Sequence, residues 1–371
     1  MGVSKTADSL TNTVGVRGGV AYGTADRTWK WHAGATFSFG DTVNRTISFG
    51  SASLSISDRR WTAALDVYNQ LEEFPLIMIK DPFFNMLNAL LTHSDAYDYY
   101  AARGVKAALT YVPAASWFLT LTGLTENQQS LVKHTEYSFF DRSRIYPDNP
   151  SIVDGTLKSL SLSAKYSSTG MPGMTKNAFH ASVSVEYSDP LLKSDYSFTQ
   201  LNLHLRGKIS TMNYNLLFPP SLTVVLNAGG AIGHLPPQRY FSLASDVLFV
   251  GEQGTLHNVH AREFYGDRYA ECSIEYNFRR APFALSGMKA LYESKLDFIV
   301  IGAVARSWMS DQALRTPQFP VRDTHGWYYE AGIGISNILD FFRIDLTYRF
   351  TQPSEVNLTL LFSEFVSGLV R

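Results

Sequence analysis

The chain has 371 residues, a net charge of −1 and 18% charged residues, so nothing electrostatic recommends a nucleic-acid partner. Its one cysteine, Cys272, excludes an internal disulfide framework or a CxxC zinc site. Mean hydropathy is −0.08 and no apolar run approaches the roughly 18 residues of a spanning helix. That excludes a helical membrane protein but not a β-barrel, in which half of every strand faces a polar interior.

Residues 1–13 lack the apolar core of a signal peptide, which leaves either an intracellular protein or a piece of a longer one. Strand patterns begin with the glycine-rich stretch 15–23 and with 27–39, then 45–54 and 59–68, the last two separated by a turn at Ser57-Asp58. Within 71–100, Asp81-Pro82 is a helix start followed by an apolar stripe through Phe83, Phe84, Leu87, Leu90 and Leu91. It predicts a short helix in a long loop. Strands resume at 105–112 and 117–125, and a second long loop covers 128–156. Clean alternation then marks 160–166, 179–187 and 201–209, followed by a strand at 222–232. The remaining strands are 269–278, 296–305, 327–336, 342–350 and 356–362.

The chain is organised around 229–278, whose core is Glu263-Phe264-Tyr265-Gly266-Asp267-Arg268-Tyr269. A long apolar loop enters a strand there. Ala270, Cys272, Ile274, Tyr276 and Phe278 share one face of that strand; Glu271, Ser273, Glu275 and Asn277 share the other. Residues 342–350 alternate in the same way, Phe342 to Phe350 against Arg343, Asp345, Thr347 and Arg349. The count is about fifteen strands without a linker, so one domain over 1–371. The long loops fall on one side and tight turns on the other, the layout of an antiparallel transmembrane β-barrel with extracellular loops. Tryptophans at strand ends fit two aromatic girdles. The faces alone leave two solutions open: the charged face lies outside in a soluble sandwich and inside in a membrane barrel. An odd count is at variance with the even number of bacterial barrels, and points to about 16 strands with the first cut off upstream.

No nucleophile elbow and no Walker A loop is present, so an enzyme is not expected. His257, His260 and Glu263 lack further spaced ligands and read as loop residues, so no metal or cofactor is expected. Gly332-Ile333-Gly334, in a strand, marks a bend or a close approach of another backbone. The inward charges Arg206, Lys208, Glu271, Glu275, Arg343, Asp345 and Arg349 are mixed in sign, as in a lumen knit by ion pairs.

Glu263–Tyr269 after a long loop, with Gly229-Gly230, Leu235-Pro236-Pro237 and the run Tyr328 to Gly334 before Phe341 to Asp345, resembles the BamA-like superfamily of outer-membrane barrels. The nearest likeness is to a surface-antigen-like branch, whose members carry periplasmic carboxypeptidase-regulatory-like domains before the barrel. The resemblance covers mainly 222–362. It implies a sixteen-strand barrel whose sixth extracellular loop folds into the lumen. It also implies a loop arginine locked by an inward acid: here Arg268, or Arg262, against Glu271, Glu275, Glu293 or Asp297. Two departures stand out. The family places Arg directly before Gly, whereas Tyr265 precedes Gly266. The family's Phe-x-Asp-x-Gly strand has Val300 where the Asp would be. The function implied is assembly, insertion or translocation of proteins at the bacterial outer membrane, with lipid and client outer-membrane or secreted proteins as partners. A passive or substrate-specific diffusion channel is the alternative, and a soluble all-β binding protein the third.

Overall fold

The fold comes from a computed structural model that describes residues 12–23, 27–49, 52–74, 86, 89–91, 97–132, 139, 148–168, 177–212, 219–244, 254–260, 263–314 and 322–363. The first nine strands are β1 (Thr13–Gly23), β2 (Thr28–Phe49), β3 (Ala52–Phe74), β4 (Asp98–Tyr111), β5 (Trp117–Ser130), β6 (Gly155–Ser167), β7 (Ala178–Ser188), β8 (Ser197–Ser210) and β9 (Ser221–His234). Two short strands, β10 (Phe241–Ser242) and β11 (Tyr265–Gly266), pair with each other. The last five are β12 (Arg268–Arg279), β13 (Asp297–Trp308), β14 (Tyr328–Ile338), β15 (Phe342–Arg349) and β16 (Glu355–Phe362). All but β10 and β11 form one sheet of 14 strands, each paired with the next in sequence. Every pairing is antiparallel. Among the described residues β1 and β16 are the two edges of this sheet, each paired on one side only.

The alternation resolves the two solutions left open by the sequence. On β15, Phe342, Ile344, Leu346 and Tyr348 are exposed, while Arg343, Asp345, Thr347 and Arg349 are at most 4% exposed. β12 repeats this, with Ile274 exposed and Glu271, Ser273, Glu275 and Asn277 buried. A soluble sandwich buries its apolar face. Here the polar face is the buried one, enclosed by the curl of the sheet.

Among the described residues 14 strands form the main sheet and two more pair apart from it, against an expected barrel of about sixteen. Residues 45–49 continue β2 and 52–54 begin β3, so 45–54 spans a hairpin tip instead of being a strand. Ser57-Asp58 lies within β3, paired with Asn44 and Val43. Neither Ser nor Asp breaks a strand whose partner continues alongside. Among the described residues the long loop after β9 is thereby the fifth on its side. Asp81-Pro82 lies outside the described residues; Met86 and 89–91 are helical.

The long loops, 75–97, 131–154, 235–264 and 309–327, do share one end of the sheet. The opposite end holds the tight connections 112–116 and 339–341. It also holds 280–296, which folds into two short helices, α1 (Ala281–Leu285) and α2 (Lys289–Glu293). Aromatic side chains band the outer face near both ends. Toward the tight-turn end, ring contacts run Phe39–Trp61–Tyr111, Trp117–Tyr166–Phe179 and Tyr276–Phe278–Phe298. Toward the long-loop end stand Tyr22–Trp29 and Tyr348–Phe350, with Arg306 over both Trp308 and Trp327. Trp61 therefore sits within a strand and not beside a turn.

Candidate functional site: a loop folded into the lumen

β9 ends at His234 and the chain returns as β12 at Arg268. Of the residues between, 235–244, 254–260 and 263–267 are described, and most are buried. Pro236 and Pro237 start a single 3-10 turn, Pro237–Arg239, that swings the chain inward. Two apolar clusters then hold it. Leu235 and Tyr240 pack with Leu157, Tyr196, Phe198 and Ala231. Phe241, Leu243, Leu256 and Val259 pack with Tyr269, Ala305 and Tyr328. Burial, and behind it the carboxylate of Asp267, pushes the Tyr240 hydroxyl up to about 12.

Polar anchors reach β5 and strands from β8 to β16. Gln238 Nε2 donates to Gln128 Oε1 on β5 at 2.8 Å and to the Val153 carbonyl at 3.1 Å. Gln200 on β8 donates to the Arg239 carbonyl at 3.1 Å. The Ala244 amide donates to Glu271 on β12 at 3.1 Å. Glu330 on β14 accepts the amides of His257 and Asn258, at 2.9 and 3.0 Å, and the Tyr328 hydroxyl at 2.5 Å. Asn258 Nδ2 donates to Thr347 on β15 at 2.7 Å, and Asn357 on β16 donates to the His257 carbonyl. Buried backbone groups need partners, and the lumen strands supply them.

The charged centre of this packing is Arg349 on β15, whose side chain is 2% exposed. Its Nη1 lies 2.5 Å from Glu263 Oε1 and 3.4 Å from the Asn258 carbonyl. The guanidinium stacks over Phe264 and Tyr328, 5.3 and 5.1 Å from the ring centroids. Six residues back along β15, Arg343 bridges Glu275 and Asp345, both at 2.8 Å. His257 Nε2 lies 3.5 Å from Asp345. Gly334 on the intervening β14 makes this bridge possible, because a Cβ there would collide with the Asp345 carboxylate. Gly332 is approached by the Leu346 backbone, in line with the reading of this Gly-Ile-Gly run from sequence.

The loop-to-strand ion pair here runs opposite to the expected one, which put an arginine on the loop and an acid on the strand. The loop contributes the acid, Glu263, and the strand contributes the base, Arg349. Arg268 is exposed. It starts β12 in step with Ala270 and Ile274, on the outward face, so it cannot reach a lumen acid. Arg262 lies outside the described residues. Val300 also faces outward, 40% exposed. Of the four proposed partners, Glu271 holds a loop amide and Glu275 holds Arg343. Asp297 pairs with Arg279 at 2.8 Å, and Glu293 sits on α2 near Lys289 at 3.7 Å, away from the lumen. Asp267 accepts the Ser310 amide at 2.8 Å and its hydroxyl. Tyr265 donates its hydroxyl to Asp98 on β4 at 3.4 Å. His257 and His260 diverge, the latter lying 3.3 Å from Glu355.

The loop reaches the first seven strands through Tyr265 on Asp98, the packing of Leu235 and Tyr240 on Leu157 of β6, Gln238 and Arg239. Arg239 is 3.6 Å from Glu186 on β7. Burial opposes its charge, but the carboxylates of Glu186, Glu126 and Glu72 prevail and hold its pKa above the ordinary value. Beyond it lies a polar cavity of about 500 Å³, lined among others by Arg17, Asp66, Tyr68, Lys106 and Glu126. Tyr68 donates its hydroxyl to Glu126 there.

No family model matches this sequence, and no curated protein does. Among solved structures, the chain is similar to BamA from Haemophilus ducreyi lacking POTRA domains 1-3, with 13% identity over 97% of this chain and 73% of that one and a TM-score of 0.48. It is also similar to OccK10 (OpdN) from Pseudomonas aeruginosa, with 11% identity, 97% and 90% coverage and a TM-score of 0.34. OprD from the same organism gives 12% identity, 94% and 84% coverage and a TM-score of 0.34.

Proposed function

We propose that this chain is a barrel of the bacterial outer membrane, long loops outward, that serves the assembly, insertion or translocation of proteins. The outward apolar faces and the two aromatic bands support the membrane reading. Phe298 and Trp308 lie at opposite ends of β13. Their separation is about 33 Å along the strand, or about 25 Å of height at a tilt of about 40°, the height of such a barrel's apolar band.

The observation that carries the functional reading is the loop itself. A barrel built to pass solutes keeps a polar channel open. This one fills the β8–β16 half of its lumen with apolar clusters and a buried arginine. A filled barrel does its work at its edge. An edge strand presents unpaired N–H and C=O groups that template an incoming strand. β1, with glycines at 15, 18, 19 and 23, offers little side-chain packing to hold a fixed partner. Two further loops follow the lumen loop on its side, as they do after the sixth loop of a sixteen-strand BamA-like barrel. A substrate-specific channel is the second reading, and the 500 Å³ cavity in the other half favours it.

Planar-bilayer recording separates the two. The full chain is expected to conduct weakly and in rare events, and deletion of 236–257 to produce large, steady conductance. In parallel, vesicles containing the protein should accelerate the folding of a second outer-membrane barrel. Large steady conductance from the intact chain, unchanged by the deletion, would give the channel reading first place.

A further inference from the structure

The connection between β12 and β13 stands at the end of the sheet opposite the long loops. It is rooted firmly. Arg279 Nη1 is 2.8 Å from Asp297 Oδ2, which also accepts from Asn337 at 2.8 Å. From that root α1 and α2 fold against the outside of the wall. Phe283, 8% exposed, sets its ring edge-on to Phe298 at 6.5 Å. Phe298 in turn meets Phe278 at 6.1 Å, and both belong to the outward aromatic band.

The rest of this hairpin is apolar and uncovered. Leu285 is 89% exposed, and Met288, Leu291 and Tyr292 are exposed as well. The turn between β14 and β15, at the same end, adds exposed Leu339 and Phe341. The charges are basic: Arg280, Lys289 and Lys295 against Glu293 within 280–296. Arg280 lies over the Tyr292 ring at 5.6 Å. Helices this short gain little from their own hydrogen bonds. Their exposed leucines need a medium, and two features select it. The apolar surface is continuous with the outward aromatic band, and its fringe carries the charge that anionic headgroups attract.

We propose that α1 and α2 form an interfacial anchor lying in the headgroup region of the phospholipid leaflet at the tight-turn end. Leu285 and Met288 enter the acyl boundary, while Arg280 and Lys295 meet lipid phosphates. The inference rests on the membrane reading above. It gives that end of the barrel a fixed depth, which a rim of tight turns alone would not.

Nitroxide labels test it. With Cys272→Ser as background, Leu285→Cys and Met288→Cys are labelled in vesicles of phosphatidylethanolamine and phosphatidylglycerol. Collisions with oxygen are compared with collisions with a water-soluble nickel chelate. Oxygen contact should exceed nickel contact at both positions. Replacing phosphatidylglycerol by phosphatidylcholine should raise nickel contact, and Arg280→Glu with Lys295→Glu should abolish that lipid dependence. Leu346→Cys, in mid-strand on the outward face, is the control. Oxygen contact at 346 with free nickel contact at 285 and 288 would overturn the anchor and leave the barrel standing. So would protection from both reagents, which would indicate a protein partner on the hairpin. Nickel contact at 346 would overturn the membrane reading itself.

Discussion

Arg17 on β1 and Arg349 on β15 are both inward arginines held by a carboxylate, yet the Arg17 side chain is 57% exposed and that of Arg349 is 2%. The strands around them use the same device. Arg17 reaches Asp66 across Gly34 of β2, much as Arg343, held by Asp345, reaches Glu275 past the glycine-bearing β14. At Gly34, as at Gly334, a Cβ would collide with the carboxylate. What differs is the loop. Residues 235–267 lay most of their apolar clusters and amides against β8–β16, and touch the earlier strands at fewer points: Gln238 on β5, Arg239 on β7, Leu157 of β6 and Asp98 of β4. The strands supply ion pairs throughout the lumen; the loop decides which of them lose water. An ion pair in a dry site is unforgiving of the loss of one partner, whereas one in a wet site contributes little.

The largest expected effect lies at Arg349. Arg349→Ala would leave Glu263 without its cation, and Phe264 and Tyr328 without the group they enclose. The expected cost is about 3–5 kcal/mol, read as a lower midpoint of urea unfolding in detergent followed by circular dichroism. Removing both charges, with Glu263→Leu and Arg349→Met, should recover much of that loss, because the desolvation cost disappears with the pair. A double variant as unstable as Arg349→Ala would mean that the pair does not close the lumen and that the guanidinium acts through its ring contacts alone.

The strand skeleton of the second half was open to reading from residues alone. β12 and β15 alternate because one face meets lipid-like surroundings and the other a lumen, and a period of two survives any tertiary context. The same period puts Arg343, Asp345 and Arg349 on the inward face. The pairing between them and the loop was not legible, since it depends on where a long loop lies, and loop residues carry no period. One signal was available and bears on Arg268. Extending the alternation of β12 two residues back from Ala270 puts Arg268 outward. The resemblance to a family with a loop arginine pointed the other way, and the parity of the strand won. The tip of the β2–β3 hairpin misled for a different reason: Ser57-Asp58 has turn chemistry, but Asp58 pairs with Val43 and the ladder runs on past it.

A smaller effect distinguishes the two glycines. At Gly334 the obstructing carboxylate is fixed by Arg343, and Ile299 stands close behind. Gly334→Ala should cost about 1–3 kcal/mol, the range of overpacking in a tight site. At Gly34 the obstructing atoms are the ends of Asp66 and Arg17, which have water to move into. Gly34→Ala should cost less than about 1 kcal/mol. Both are read from unfolding midpoints under one condition. Equal costs would show that the β1–β7 half is as tightly filled as the other.

The smallest effect is at Arg17 itself. Its guanidinium contacts Asp66 through three hydrogen bonds of 2.6 to 3.0 Å. This is a fork geometry that would be strong in a dry site. Lys106 is the direct cross-strand neighbour of Asp66, so a second cation is at hand when Arg17 is removed. More than half of the Arg17 side chain meets solvent, and it lines the polar cavity. Screening and a substitute cation both reduce the loss, so Arg17→Ala should cost about 0.2–1 kcal/mol at low salt. That cost should shrink further at 1 M salt, where the screening length is about 3 Å. Arg349→Ala should keep its cost at the same salt, because ions do not enter its site. If Arg17→Ala proved as costly as Arg349→Ala, and as indifferent to salt, the first half of the lumen would be closed as well, and the cavity there would lose its standing as support for a channel.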